Sequence, residues 1–250
     1  INGTFHGMQK PASFRNWAAA TPDDFVFSIK ANKYITHDTR LRDPEMPLAN
    51  FFASGVLTLG PKLGPFLRQL PPSLEYDPEL LETFCMTLPK DADGASDLAF
   101  KHDMKIAGNA VIKPAEGTVI RHAIEVRNKS FENPEFIDLL RHHNLALVIA
   151  DTEGKDWPLI EDVTADFLYL RLHGDEKLYP DGYTDTALDE WAPQDPPLVR
   201  RRQPAGHPSH HPRPTHRQTA RRLHLLRQRR ENPLTLRCRF VRKAFQPEAR

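Results

Sequence analysis

The chain has 250 residues, which is enough for one α/β barrel or two small domains, and its formal net charge is +1. No apolar run approaches the length of a transmembrane helix, which excludes membrane-spanning proteins of that type. The two cysteines, Cys85 and Cys238, lie in dissimilar halves and form no disulfide framework. Without a recognisable signal peptide, we expect a cytoplasmic protein.

The small net charge conceals a break in composition near residue 193. Residues 1–192 contain 19 Lys and Arg against 30 Asp and Glu, a net charge of −11. Residues 193–250 contain 15 against 3, a net charge of +12, and are rich in Arg, His and Pro. We therefore predict a globular domain over residues 1–192 and a separate tail over residues 193–250 that is disordered or translated in a shifted reading frame.

Short apolar runs alternate with helical patterns through the first 192 residues. The runs rich in β-branched, aromatic or leucine residues predict strands at residues 1–5, 25–30, 65–70, 122–127, 145–151 and 167–173. Amphipathic spacing predicts helices at residues 47–59, 78–88, 95–102 and 134–143. Asp77 and Asn133 are the predicted N-caps of two of these helices, each followed by proline. The repeated β-α order predicts a parallel sheet covered by helices, in an incomplete TIM-like (β/α) barrel.

Polar side chains stand at the carboxyl ends of these predicted strands. In a parallel barrel, this end is where several strands together build an active site. Alternation places Glu125 and Arg127 on one face of their strand, and Arg171 and His173 on one face of theirs. The strand-end candidates are Asn2, Lys30, Gln69, Glu125, Arg127, Asp151, Arg171 and His173. The loops that follow strands add Thr36, His37 and Tyr183.

These residue types suit the binding of a phosphate or sugar and general acid–base chemistry. Lys30, Arg127 and Arg171 would bind an anion, and the other substrate-binding candidates are Asn2, Gln69, Thr36, His37 and Tyr183. Glu125, Asp151 or His173 would exchange the proton, and Lys30 is counted with them as a catalytic candidate. Two alternatives remain: charges that pair only with one another, and a divalent metal on Glu125, Asp151 and His173. The spacing is not diagnostic of a metal, so no metal site is predicted, and no cofactor is indicated.

Several segments, taken in order, resemble one known family across nearly all of residues 1–192. The matching segments are Thr-Pro-Asp-Asp-Phe-Val-Phe, Tyr-Ile-Thr-His, Leu-Arg-Asp, Gly-Pro-Lys-Leu-Gly-Pro, Gln-Leu-Pro-Pro, Arg-His-Ala-Ile-Glu-Val-Arg, Ala-Asp-Thr and Tyr-Leu-Arg-Leu-His-Gly. They resemble the YecE-like family, the domain-of-unknown-function family seventy-two. The resemblance implies a cytoplasmic TIM-like barrel without an assigned activity. It also implies that the eight strand-end candidates correspond to the family's conserved polar positions.

The chain departs from this family at both ends. Family members have a strand with a Gly-Trp segment before the first one seen here, and they end on a strand resembling Asp-Val-Tyr-Ile-Tyr-Phe-Asp-Asn-Asp. Codons for residues 221–239, read one nucleotide later, can encode that ending. We therefore hypothesise a frameshift near Ala192, real or a sequencing error. On this hypothesis the first strand is missing and the tail supplies no last strand.

Three functional hypotheses follow from the sequence. The first is an enzyme that acts on a small phosphorylated or sugar-like substrate. The second is a nucleic-acid-binding or phosphodiester-processing barrel, against which the acidic body argues mildly. The third is an inactive, truncated or frameshifted product. The sequence does not indicate an oligomeric state.

Overall fold

Parallel strands alternate with helices through residues 1–145. The computed structural model describes residues 1–151 and 157–172 with side chains, apart from the side chains of Ala107 and Leu172, and the backbone of residues 222–228 and 238–241. The chain divides into two units, residues 1–145 and residues 146–250, and each is described by itself.

The first unit contains a parallel sheet of three strands, joined by helices. Its strands are β1 (Phe27–Lys30), β2 (Leu63–Gln69) and β3 (His122–Glu125). Its α-helices are α1 (Gly3–His6), α2 (Pro11–Ala19), α3 (Glu45–Ala53), α4 (Pro78–Thr87), α5 (Ala92–Phe100) and α6 (Pro134–His142). A π-helical turn over Tyr34–Asp38 follows β1, and 3₁₀ turns cover Val56–Lys62, Ala107–Asn109 and Lys129–Phe131.

Strand register sorts the side chains of this sheet onto two faces. Lys30 lies beside Leu67, and Gln69 lies beside Glu125, so these residues share what we call the inner face. Phe66 points to the opposite face, where its ring contacts Phe51 and Phe52 of α3 at centroid distances of 5.7 and 5.1 Å. The opposite face is therefore the helix face, and the inner face carries the polar strand ends.

The second unit also contains parallel strands. They are β4 (Ala146–Asp151), β5 (Phe167–Leu172) and β6 (Arg222–Gln228), and β7 (Cys238–Val241) pairs antiparallel with β6. The tail was expected to supply no last strand, but β6 lies parallel to β5. Since the segment Arg222–Gln228 contains neither proline nor glycine, its backbone can complete the hydrogen-bonded ladder. The frameshift itself stays a hypothesis.

The structure confirms the predicted α/β class and the incomplete TIM-like barrel, since both units contain parallel strands and helices connect those of the first. The predicted N-caps are also confirmed, because the Asp77 carboxylate accepts a hydrogen bond from the backbone N–H of Leu80, and the Asn133 side chain accepts one from that of Glu135. The helix predicted at residues 47–59 is interrupted at Gly55, whose φ of 101° is left-handed. The predicted domain boundary at residue 192 lies outside the described residues and stays a prediction.

The strand predicted at residues 1–5 is wrong. Ile1 does pair with β1, since its carbonyl accepts a hydrogen bond from the Lys30 N–H at 3.0 Å. The chain then turns into α1, because the Thr4 hydroxyl donates to the carbonyl oxygens of Ile1 at 3.1 Å and Lys30 at 2.6 Å. These side-chain hydrogen bonds to the backbone replace the strand ladder.

No helix within the described part of the chain is long and apolar enough to cross a membrane.

Close packing of β1 on β2 requires a glycine at position 64. A Cβ atom there would lie 2.6 Å from Val26 Cγ1 and 2.8 Å from the Phe27 carbonyl oxygen. We expect Gly64→Ala to lower the free energy of unfolding by about 2 kcal/mol, measured by urea denaturation. Gly7→Ala is the matched control, since no atom beyond its neighbours in the chain lies within 4 Å of its added methyl, and we expect it to change stability by less than about 0.5 kcal/mol. Equal effects of the two variants would contradict this account of the sheet.

Candidate functional site

The polar side chains at the end of the inner face surround Glu125. Its side chain is fully buried, and Arg127 lies two residues beyond it, past the end of β3. The Arg127 Nε and Nη2 atoms both bind Glu125 Oε1, at 2.9 and 2.8 Å. Such a charge-assisted contact fixes the orientation of the planar guanidinium group.

Lys30 lies at the end of β1 on the same face, and α1 brings an aromatic ring over it. The Lys30 Nζ atom is 4.0 Å from the centroid of the Phe5 ring, which is a cation–π contact. The same ring meets the His37 imidazole edge-on, with centroids 5.1 Å apart. Sequence reasoning missed Phe5 because it was assigned to a strand. The short helix is what directs its ring towards Lys30 and His37.

His37 comes from the π-helical turn after β1. The Thr36 hydroxyl is buried and lies 2.8 Å from His37 Nδ1, so the two groups share a hydrogen bond. Burial lowers the pKa of His37, and the positive charges of Lys30 and Arg127 lower it further, while Asp38 opposes them. The imidazole is therefore neutral at pH 7, and it lies within the electrostatic field of both cations.

The remaining candidates are distributed differently. Gln69 is buried on the inner face beside Glu125, whereas Asn2 is exposed and precedes α1. In the second unit, Arg171 lies beside Ala150, and Asp151 lies beside Leu172, so the register puts these two candidates on opposite faces of their sheet. His173 and Tyr183 lie outside the described residues, and their roles stay predictions.

A protein-family model matches most of the chain. The model of DUF72, described as a protein of unknown function, matches residues 1–238. The chain belongs to the DUF72 family. None of the curated proteins matches it.

Two solved DUF72 structures are similar to this DUF72 chain. One, from Thermotoga maritima, is 22% identical with a TM-score of 0.51, and the match covers 75% of this chain and 67% of that one. Another, from Enterococcus faecalis, is 18% identical with a TM-score of 0.51, and the match covers 77% and 73%. At these identities the likeness shows a shared fold.

A second polar cluster of this DUF72 protein lies on the helix face and serves packing. The Arg68 guanidinium is fully buried, and its Nη1 atom donates to His122 Nδ1 at 2.8 Å. His122 Nε2 in turn donates to the Pro89 carbonyl at 2.7 Å, which fixes the neutral tautomer. Burial lowers the pKa of Arg68 to about 9, so it keeps its charge at pH 7, and burial raises the pKa of the Cys85 thiol to about 12. Neither group is poised for chemistry.

No three His, Cys, Asp or Glu side chains are grouped to hold a metal ion within residues 1–151 and 157–172. The inner-face cluster instead combines two cations, one ion-paired carboxylate and a neutral imidazole. That combination suits the binding of an anion beside a group that can carry a proton.

The electrostatic coupling of His37 can be measured directly. We expect its imidazole to titrate below the ordinary pKa of about 6.5, and we expect Lys30→Gln to raise that pKa by removing one nearby positive charge. NMR of the imidazole resonances, assigned with His37→Asn, measures both values. Lys113→Gln is the control, since this exposed lysine has no part in the cluster. A His37 pKa that is insensitive to Lys30→Gln would contradict the geometry.

The same shifts fix the sign of a pH effect on stability. The pKa values of His37 and His122 are both lowered, chiefly by burial, so below about pH 6.5 the unfolded chain binds more protons than the folded one. Their contribution to stability is present above that pH and is lost as the pH falls. Urea denaturation between pH 7.5 and 5.5 should therefore show a declining free energy of unfolding, with a smaller decline in His37→Asn.

Removing the guanidinium from the buried ion pair tests its structural role. Arg127→Leu leaves the Glu125 carboxylate buried without this partner, and we expect a loss of about 3 kcal/mol in the free energy of unfolding. Adding Glu125→Gln to that variant removes the buried charge and should restore part of the loss. If the double variant loses as much stability as the sum of the losses in Arg127→Leu and Glu125→Gln measured separately, the two side chains are not coupled.

Proposed function

We propose that this DUF72 protein is an enzyme that binds a small phosphorylated or sugar-like anion at the carboxyl ends of β1 and β3. The observation that carries the proposal is that the Phe5 ring contacts both Lys30 and His37, while Glu125 holds Arg127 at the end of β3. The charges of Lys30 and Arg127 also lower the pKa of His37, after burial. The inner face is thereby positive around a neutral imidazole. An anion that binds there would neutralise the cations and gain charge-assisted hydrogen bonds.

Each residue has a distinct part in this proposal. Arg127 presents its guanidinium to the anion and is oriented by Glu125, while Lys30 adds a second charge and is positioned by the Phe5 ring. His37 accepts or donates the proton, with its ring held by Thr36. A bound anion would raise the His37 pKa by offsetting the cations, which brings the imidazole closer to the range useful for general acid–base catalysis. Arg171, Asp151 and His173 keep their predicted roles as hypotheses.

Isothermal titration calorimetry on the full chain tests the binding half of the proposal. We expect a sugar phosphate to bind saturably and its unphosphorylated parent sugar not to bind. Lys30→Gln and Arg127→Gln should each weaken binding by about tenfold or more, because each removes a charge-assisted contact. Lys113→Gln removes an exposed charge elsewhere and should bind like the wild type, with circular dichroism confirming that every variant is folded.

Two outcomes would count against the proposal. Equal binding of the phosphorylated and parent sugars would remove the need for an anion site. Salt-dependent binding of single-stranded DNA, unaffected by Lys30→Gln and retained when residues 193–250 are deleted, would favour the nucleic-acid hypothesis instead. Once a substrate is found, His37→Asn should retain binding and lose turnover, which separates its role from that of the cations.

A further inference from the structure

A cavity lies between the loop after β1 and the amino-terminal half of α3. Its volume is about 610 Å³, within the range of small-molecule sites. The apolar part of its lining includes Met8, Tyr34 and Met46, which are 40%, 50% and 44% exposed. These side chains are large hydrophobic groups left facing solvent, and thioethers beside an aromatic ring form an adaptable surface for an apolar group.

Four charged residues also line the cavity, and two of them, Asp103 and Lys105, form an ion pair with Oδ2 and Nζ 3.9 Å apart. The other two, Arg42 and Asp43, are consecutive and have opposite charges. Arg42 and Asp43 both line the cavity, and neither side chain makes a hydrogen bond or ion pair with any other part of the chain that the structure describes. Asn50, also in the wall, accepts a hydrogen bond from the Asp103 N–H at 3.0 Å through its Oδ1 atom. Its NH₂ group has no such partner within the same described residues and can donate to a ligand.

The backbone that presents these charges is held in an unfavourable conformation. Arg40, Leu41 and Asp43 have φ values of 52°, 66° and 45°, in the left-handed region that non-glycine residues rarely occupy. Arg40 is anchored because its guanidinium donates to the Ser73 hydroxyl and carbonyl at 3.0 and 2.7 Å. Leu41 is anchored by its buried side chain and by a hydrogen bond to the Ile35 carbonyl at 3.0 Å. Strain of this kind persists only where the surroundings enforce it, and it clusters at ligand-binding segments.

We propose that this cavity binds a free amino acid with a large apolar or aromatic side chain. Arg42 and the Asn50 amide bind its carboxylate, Asp43 binds its ammonium group, and the side chain lies against Met8, Tyr34 and Met46. A zwitterion satisfies both charges at once, whereas a ligand with a single charge leaves either Arg42 or Asp43 without a partner. The site is distinct from the Lys30 and Arg127 cluster, and the inference does not rest on the function proposed for that cluster.

Three ligands of matched shape test the assignment by calorimetry on the full chain. L-phenylalanine carries both charges, 3-phenylpropionate lacks the ammonium group, and 2-phenylethylamine lacks the carboxylate. We expect L-phenylalanine to bind about tenfold more tightly than either analogue, since each analogue loses one charge-assisted contact.

Paired variants then assign each charge to one residue. Arg42→Gln should weaken L-phenylalanine and 3-phenylpropionate but not 2-phenylethylamine. Asp43→Asn should weaken L-phenylalanine and 2-phenylethylamine but not 3-phenylpropionate, and asparagine is tolerated at the positive φ of position 43. Tyr34→Ala should weaken all three ligands, and Lys30→Gln should change none of them. Thermal melting confirms the folding of each variant, and all the substituted side chains except that of Lys30 are exposed or half-exposed at the cavity.

Three results would overturn the assignment. The first is no binding of L-phenylalanine, L-methionine or L-tryptophan to the wild-type chain. The second is equal affinity for the amino acid and its two analogues. The third is binding of a purine nucleoside in place of the amino acids, which would make the cavity a heteroaromatic site.

Discussion

The buried carboxylate of Glu125 is the constraint on which the candidate site depends. A charge removed from water costs several kcal/mol unless it is paired and hydrogen-bonded, and Arg127 meets that need from two residues away. The need fixes where the guanidinium lies, on the inner face at the end of β3. The positive potential at His37 comes from Arg127 in that position and from Lys30 at the end of β1. One buried charge thus orders the electrostatics of this end of the sheet.

Register gives the two faces of the sheet different chemistry. Gln69 and Arg68 are neighbours on β2, yet Gln69 lies beside Glu125 on the inner face and Arg68 lies buried against the helices. The Arg68 Nε and Nη2 atoms have no hydrogen-bond partner among the described residues, and the rings of Phe66 and Phe84 flank its guanidinium at 5.8 and 5.9 Å. A slip of one residue would exchange the two faces and place that guanidinium inside the site. The packing of Phe66 against α3 opposes such a slip, because after the slip Phe66 would no longer contact Phe51 and Phe52.

The sequence predicted the parts of the site that depend on regular structure. Lys30, Gln69 and Glu125 lie at the ends of their strands, as the sequence predicted, and the ends of parallel strands meet at one edge of the sheet. Side chains from irregular segments were harder to place. Phe5 was assigned to a strand, since nothing in the pattern revealed that Thr4 would bond to the carbonyls of Ile1 and Lys30. His37 was a secondary candidate because its position depends on a π-helical turn, a rare element without a reliable sequence pattern.

Other residues show why a strand-end rule alone is insufficient. Asp151 and Arg171 both stand at strand ends, but their faces depend on how β4 and β5 align, and single strands do not reveal that alignment. The cavity beside α3 was not predicted at all. It depends on left-handed backbone at Arg40, Leu41 and Asp43. Glycine is the usual sequence signal for that conformation, and this segment contains none. The tail was expected to contain no last strand, yet β6 pairs with β5. Such pairing uses backbone groups and requires few specific side chains.

A crystal structure of the full chain soaked in tungstate, a heavy analogue of phosphate, tests the central claim most directly. We expect an anomalous peak within hydrogen-bonding distance of Lys30 Nζ and the Arg127 guanidinium, and the loss of that peak in Lys30→Gln. A peak confined to other surface cations, or no peak at a tungstate concentration that saturates binding in solution, would contradict an anion site at the ends of β1 and β3.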